Sequence, residues 1–263
     1  MLLFDTHAHL ACSMLWPGHE AILERAVLAG VKKLTTICTH QEELERGRFL
    51  YLKDPGFHVL AAATGPNETE HEGTVFFPHV EQAAFSGLLQ AIGETGLDLH
   101  WNTSSIEAQT HELIRYLRLA LESRLPVVLH CRKAFEPLLE ILDKHYVGKE
   151  GFCGGIFHCF SEGLSEANEV IARGFQVSFS GIITYKSALA IQEAATFCDI
   201  DHMLIETDSP YLRPGKERQK INEPDQVVHV AEKIAQLRSL PVDFVAQKTY
   251  ENGCRLFQLK ANN

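Results

Sequence analysis

The first residues able to do chemistry lie at the start of the chain, where Phe4-Asp5-Thr6-His7-Ala8-His9-Leu10 runs from an apolar opening into His-x-His. Side chains of a β-strand alternate between faces, so His7 and His9 share one face at a spacing of roughly 7 Å. Two imidazoles so placed at a strand's end can hold one transition-metal ion. An ordinary polar strand-to-loop junction would read the same way. The pair gains meaning only if ligand types recur at the ends of later strands.

They do recur. Glu94 follows Ala91-Ile92-Gly93, His130 follows Val127-Val128-Leu129, His158 follows Gly155-Ile156-Phe157, and Asp208 closes Leu204-Ile205-Glu206-Thr207. Agreement across five strand ends argues against coincidence. Four imidazoles and two carboxylates exceed the four ligands of a closed structural zinc site. They suit two divalent ions about 3.5–4 Å apart with one carboxylate between them. Glu94, central in chain order, is the expected bridge. Such a centre brings a bound water's pKa near neutrality and stabilises charge on an attacked phosphoryl or carbonyl group. Asp208 is expected to bind one ion and to accept the proton of the attacking water.

Neighbouring residues divide by face. Cys131 and Cys159 each follow an expected ligand, so alternation turns them to the opposite face and into packing. Asp5 and Glu206 stand two residues before His7 and Asp208 and share their face, either orienting imidazoles or serving as internal hydrogen-bonding carboxylates. Arg132 and Lys133 follow His130, and Arg213-Pro214-Gly215-Lys216-Glu217-Arg218-Gln219-Lys220 is the most basic run. Basic side chains beside a dinuclear site favour an anionic substrate such as a phosphodiester.

The elements that must position these residues are short apolar runs alternating with helical patterns. Strands are expected over residues 2–6, 33–38, 57–64, 90–94, 126–130, 155–158, 176–180 and 203–207. Helix spacing appears over 21–28 with Gly30 as its stop, and over 111–123 with the stripe Leu113, Ile114, Leu117, Ala120 and Leu121. Further helices are expected over 135–146, 166–173, 225–237 and 242–257. Alternating strands and helices imply parallel βα units with right-handed crossovers, and eight of them imply an α/β fold, a (β/α)8 TIM-type barrel. A doubly wound sheet would call for a glycine-rich phosphate turn after the first strand, where this chain has His-x-His. A barrel also places its reactive groups at the C-terminal ends of several strands.

Composition agrees. A chain of 263 residues is long for an ordinary domain but usual for a single barrel domain spanning 1–263. Hydrophobic residues make up 45% and charged residues 22%, as in a globular protein with a large core. No apolar run is long enough to span a membrane. Met1-Leu2-Leu3-Phe4 lacks the basic opening of a signal peptide. Seven cysteines, odd in number and without Cys-x-x-Cys, point to a reducing cytoplasm. A net charge of −10 argues against a surface that coats nucleic acid, though not against local grip on one strand.

In these stretches the chain resembles the TatD family of metal-dependent deoxyribonucleases, which are amidohydrolase-like barrels. The resemblance rests on Asp5-Thr6-His7-Ala8-His9-Leu10, Ile92-Gly93-Glu94-Thr95-Gly96-Leu97-Asp98 and Leu125-Pro126-Val127-Val128-Leu129-His130-Cys131-Arg132. It continues through Ile156-Phe157-His158-Cys159-Phe160-Ser161, Ile205-Glu206-Thr207-Asp208-Ser209-Pro210-Tyr211-Leu212, Asn222-Glu223-Pro224 and Asn252-Gly253-Cys254-Arg255-Leu256-Phe257. It implies a TIM-type barrel holding two divalent ions (Mg, Mn or Zn) on His7, His9, Glu94, His130, His158 and Asp208. It also implies hydrolysis of DNA phosphodiesters, 3′ to 5′, on single strands or 3′ ends. Substrate contacts are expected from Arg132, Tyr211, Arg213 and Asn222. Two stretches depart from the family pattern. Ala63-Thr64-Gly65-Pro66-Asn67 stands where Gly-x-His-Pro-His is usual, and Arg218-Gln219-Lys220-Ile221-Asn222-Glu223-Pro224 where Arg-Gly-Lys-Arg-Asn-Glu-Pro is usual.

Two other functions are compatible with the same ligands. A small-molecule amidohydrolase, esterase or deacylase would direct the same water at a carbonyl, although such sites often carry a modified lysine on strand four where this chain has Glu94. A binding protein without activity would be expected to have lost a ligand, and all six are present.

Overall fold

Short runs of aliphatic residues, each followed by a turn, build a parallel sheet that curls on itself. The computed structural model describes residues 1–101, 103–215 and 220–259. Among these, the strands are β1 (Leu3–Ala8), β2 (Val31–Cys38), β3 (His58–Ala62), β4 (Ala91–Asp98), β5 (Val127–Arg132), β6 (Gly155–Phe157), β7 (Phe175–Phe179) and β8 (Met203–Ile205). They pair in chain order, every pair parallel. A parallel bridge from Ala8 to Ser209 returns the last strand to the first. The fold is the expected (β/α)8 barrel.

The surrounding helices are α1 (His19–Ala29), α2 (Gln41–Lys53), α3 (Thr69–Phe85), α4 (Ile106–Ser123), α5 (Phe135–His145), α6 (Leu164–Ala172), α7 (Leu189–Phe197), α8 (Val227–Arg238) and α9 (Val242–Leu256). Three of them, α2, α3 and α7, carry no clear signal in the sequence. The interior of α2 contains Gly47, where a Cβ would come within 2.8 Å of Cys38 Sγ, so the glycine serves close packing on β2 and masks the helical pattern. α3 contains Pro78, which normally reads as a breaker. α7 is short and rich in alanine, with only a weak apolar stripe to reveal it.

Alternation along the strands divides the core into two layers. Leu60, Ile92, Leu129, Val177 and Ile205 pack outward beneath the helices. Phe4, Ile37, Val59, Val128, Ile156 and Leu204 fill the barrel's interior, together with Tyr250, Cys254 and Phe257. The last three come from α9 and the residue after it, which close the N-terminal end. Phe4 meets the rings of Tyr250 and Phe257 at 6.1 and 5.6 Å.

β4 runs four residues beyond its expected end at Glu94. Gly93 and Gly96 read as a turn, but both lie within the strand. At Gly96 (φ +150°) a Cβ would sit 2.0 Å from the carbonyl oxygen of His130. Only glycine lets β5 approach this closely. The β4–β5 register shifts between Gly93 and Thr95, so Glu94 is the extra residue of a bulge. Bulges re-aim a side chain, and here that side chain is Glu94.

Candidate metal centre

The barrel's closing seam is made by the residues that carry the motif. Asp208 N–H donates to the carbonyl of His7 at 2.9 Å, and His9 N–H donates to the carbonyl of Ser209 at 2.7 Å. Below them the buried Asp5 carboxylate accepts from Thr207 N–H (2.8 Å) and Thr207 hydroxyl (2.6 Å), pinning β1 to the end of β8. Asp5 therefore works as a structural clasp. Burial pushes its carboxyl well up, against the opposing bonds from Thr207.

Six side chains converge above the clasp. His7 Nε2 lies 3.3 Å from His9 Nε2, 3.3 Å from Glu94 Oε2 and 3.6 Å from Asp208 Oδ1. His9 Nε2 is 3.6 Å from the same two oxygens. A tetrahedral ion with N and O ligands at about 2.0–2.2 Å leaves ligand-to-ligand edges of about 3.3–3.6 Å. The five edges match that figure, so this quartet fits a divalent ion.

The other carboxylate oxygen of Glu94 faces away from the quartet. Its Oε1 lies 2.6 Å from His130 Nδ1 and 2.9 Å from His158 Nε2, and these two nitrogens are 3.2 Å apart. The contact with His130 is a hydrogen bond, shorter than an edge around a shared ion. The rings of His7 and His158 stack at 3.9 Å and hold the two halves together.

Charge follows this arrangement. Burial pushes the Glu94 carboxyl up, but His158, His130 and His7 outweigh it and hold it well below the usual range. Burial opposes ionisation of Asp208 too, and His9 with the other imidazoles holds it low. Burial lowers His7, and His158 lowers it further. Against the same burial, Asp208 and Glu94 raise His9, and Glu94 with Glu206 raises His158. Ionised carboxylates among imidazoles are a suitable donor set for a divalent cation.

The backbone around the ligands is unusual. Lys133, Cys159, Asp208 and Leu212 all have φ between 46° and 55°, and all lie in the turns leaving β5, β6 and β8. Non-glycine residues in this region cluster where a site dictates the chain path. Cys159 consequently leaves the alternation that would have buried it. It lines the cleft, its Sγ is 3.3 Å from Ser180 Oγ, and its N–H donates to Glu206 Oε1 at 2.6 Å. Cys131 packs against the core as expected, and also reaches the cleft. Glu206 lies 3.5 Å from His158 Nδ1, behind an expected ligand.

A family profile described as "TatD related DNase" matches residues 4–258. The chain belongs to this family. It is 35% identical to YabD, an uncharacterised metal-dependent hydrolase of Bacillus subtilis (strain 168), over 98% of this chain and 100% of that one. It is 30% identical to the 3′-5′ ssDNA/RNA exonuclease TatD of Citrobacter rodentium (strain ICC168), with 97% of both chains covered. The crystal structure of YjjV, a TatD homologue from Escherichia coli K12, superposes with a TM-score of 0.88 at 30% identity, covering 98% of each chain. The chain is thus a metal-dependent hydrolase of the TatD family.

A cleft of about 840 Å³ opens above the six residues, and Arg132 and Tyr211 line it. Arg213 and Asn222 do not line it. Arg213 donates to the carbonyl of Ile221 and borders a separate groove against α8. Asn222 is fully buried, and its amide donates to the carbonyls of Thr207 (2.9 Å) and Tyr211 (2.7 Å). Both donate to carbonyls of the loop after β8, away from the cleft wall. Residues 216–219 of the basic run (Lys216, Glu217, Arg218 and Gln219) lie outside the described residues.

Two residues at the site escaped sequence reading. Asp98, at the end of β4, is buried, and its Oδ2 lies 3.1 Å from His130 Nε2. It also accepts from Asn67 Nδ2 at 3.2 Å, so the loop that departs from the TatD pattern supports this contact. Burial raises the Asp98 carboxyl, and His130 with the His100 amide outweighs it and holds it far below the usual range. Trp101, on the loop beyond, lines the cleft with Arg132. Its only early signal was its place after a strand end. Asp98 is a carboxylate closing a strand, a signal hidden because β4 reads as stopping at Glu94.

Proposed function

We propose that this chain is a two-metal phosphodiesterase that removes nucleotides from the 3′ end of single-stranded DNA. The observation that carries it is the division of Glu94, with Oε2 turned to His7 and His9 and Oε1 to His130 and His158. One carboxylate serving two imidazole pairs is what a bridged dinuclear site requires. His7, His9, Glu94 and Asp208 would hold one ion, and Glu94, His130 and His158 the other. When bound, the ions (Mg, Mn or Zn) supply a water acidic at neutral pH and charge to oppose the developing phosphorane.

The residues of the chain divide the remaining work. Glu94 is committed to imidazoles on both sides. Asp208 turns Oδ1 to His7 and His9, and its Oδ2 is assigned the proton of the attacking water. Asp98 keeps the His130 ring oriented by accepting at Nε2. Arg132, on the cleft wall, offers its charge to a phosphate. The exonuclease name of the Citrobacter relative supports a nucleic-acid substrate. All seven cysteines are free, which suits action in a reducing cytoplasm. No described helix is long and apolar enough to cross a membrane.

The deciding experiment supplies purified protein with Mg²⁺, Mn²⁺ or Zn²⁺ and oligonucleotides labelled at the 5′ or 3′ end, single- and double-stranded. Stepwise loss from the 3′ end of single strands is expected, abolished by EDTA and by Glu94→Ala. Faster turnover of an amide or ester than of any phosphodiester would replace this reading with the amidohydrolase one.

A further inference from the structure

Trp101 is 58% exposed and lines the cleft together with Arg132, Asp98 and His130. Its ring contacts are with His100, edge-on at 4.8 Å, and with the Arg132 guanidinium, 5.3 Å from the ring centroid. Such an indole leaves a broad apolar surface in water beside a cation. In a site for polyanions, aromatic faces next to arginine are stacking platforms, because every base offers a π-face and every linkage a charge.

The backbone that carries this indole is tied to Asp98. Asp98 Oδ1 accepts from His100 N–H at 2.7 Å and Trp101 N–H at 3.2 Å, while its Oδ2 faces His130 Nε2. Leu99 N–H donates to the carbonyl of Arg132 at 3.0 Å. A single buried carboxylate therefore links the backbone of the loop carrying the indole to His130. The same loop is tied to the residue whose guanidinium lies against that indole.

From this geometry we propose that Trp101, backed by Arg132, is the surface on which a nucleobase beside the scissile phosphate stacks. It selects unpaired strands, since a base inside a duplex cannot offer its face to the indole. The proposal rests on the nucleic-acid reading above. Tyr211, 51% exposed and edge-on to His9 at 5.9 Å, lines the same cleft.

The test combines a protein change with a substrate change. Metal-supplied wild type, Trp101→Ala and Trp101→Phe are assayed on single-stranded oligonucleotides carrying one abasic residue at successive positions from the cleaved end. In the wild type, one position is expected to raise KM by roughly tenfold or more, the loss of one base stack. Trp101→Ala should raise KM similarly on the intact strand, leave kcat within a few-fold, and lose its sensitivity to that abasic position. Trp101→Phe should restore most of the affinity. Undiminished abasic sensitivity in Trp101→Ala, or an unchanged KM, overturns the platform while leaving the nuclease reading intact. No cleavage of any oligonucleotide by the wild type overturns both.

Discussion

The N–H of Asp208 donates to the carbonyl of His7 at 2.9 Å, so the first and last of the converging residues are joined by the bond that helps close the barrel. Closure and ligand placement are one event. A barrel that fails to close at β1 and β8 does not assemble its site. Conversely, ligands drawn together by an ion add stability to the seam, to the extent of their binding energy.

Glu94 is the residue whose loss affects both halves. Glu94→Ala is expected to lower metal content on elemental analysis and to reduce kcat by at least about a hundredfold, beyond the effect usual for an outer partner. His9→Ala, which touches only the quartet, should retain more metal. Equal retention in the two variants would argue against a bridging role.

Asp98→Asn retains the shape of the side chain while removing its charge beside His130. Metal affinity measured by titration calorimetry is expected to fall about 10–100-fold, the usual consequence of weakening the group behind a metal-bound imidazole. The thermal midpoint without added metal should fall as well, since the amide sets a donor against Asn67 Nδ2 and His130 Nε2 where the carboxylate accepted. A large loss of that midpoint with undiminished affinity would make Asp98 purely structural.

Gly96→Ala tests the close approach of β4 and β5. A Cβ there would lie 2.0 Å from the carbonyl oxygen of His130, at a φ of +150°. Destabilisation by more than about 4 kcal/mol is expected, read as insoluble protein or a melting point lowered by about 8 °C or more. An unchanged melting point would mean that the strands can separate freely.

His58, buried on β3, supplies a pH signature remote from the site. Burial is the main cause that lowers it from the ordinary 6.5 to about 4, with His19 and Lys53 adding and Asp54 opposing. Below pH 6.5 the unfolded chain binds this proton more readily than the folded one, so stability falls from about pH 6.5 to 4 and is flat above. The loss reaches roughly 2 kcal/mol by pH 5. Thermal melts of wild type and His58→Gln at pH 7.5 and 5 should show a smaller acid-induced decrease in the variant. Parallel decreases would remove His58 as a contributor.

Much of the site could be read in one dimension because a barrel repeats one rule. Its strands end on the same face, so His7, His9, Glu94, His130, His158 and Asp208 each announced themselves as polar groups after apolar runs. Arg132 and Tyr211 followed from their loops. Arg213 and Asn222 lie outside the cleft lining. Their residue types suit substrate, but loop folding turned their donors onto the carbonyls of Ile221, Thr207 and Tyr211. Helices α2 and α3 were obscured for a related reason, since Gly47 and Pro78 read as breakers when no packing partner is in view.

By itself, the sequence determined the alternation of strand and helix, the barrel and the types of group at its mouth, because periodicity and strand-end composition are local properties. Tertiary structure alone decided how those groups face one another. The β4 bulge aims Glu94, and bridging depends on which oxygen each imidazole meets. The reach of Asp98 from His130 to the loop carrying Trp101 depends on where neighbouring strands end. These are relations across strands tens of residues apart, set by register and close packing, and no local pattern encodes them.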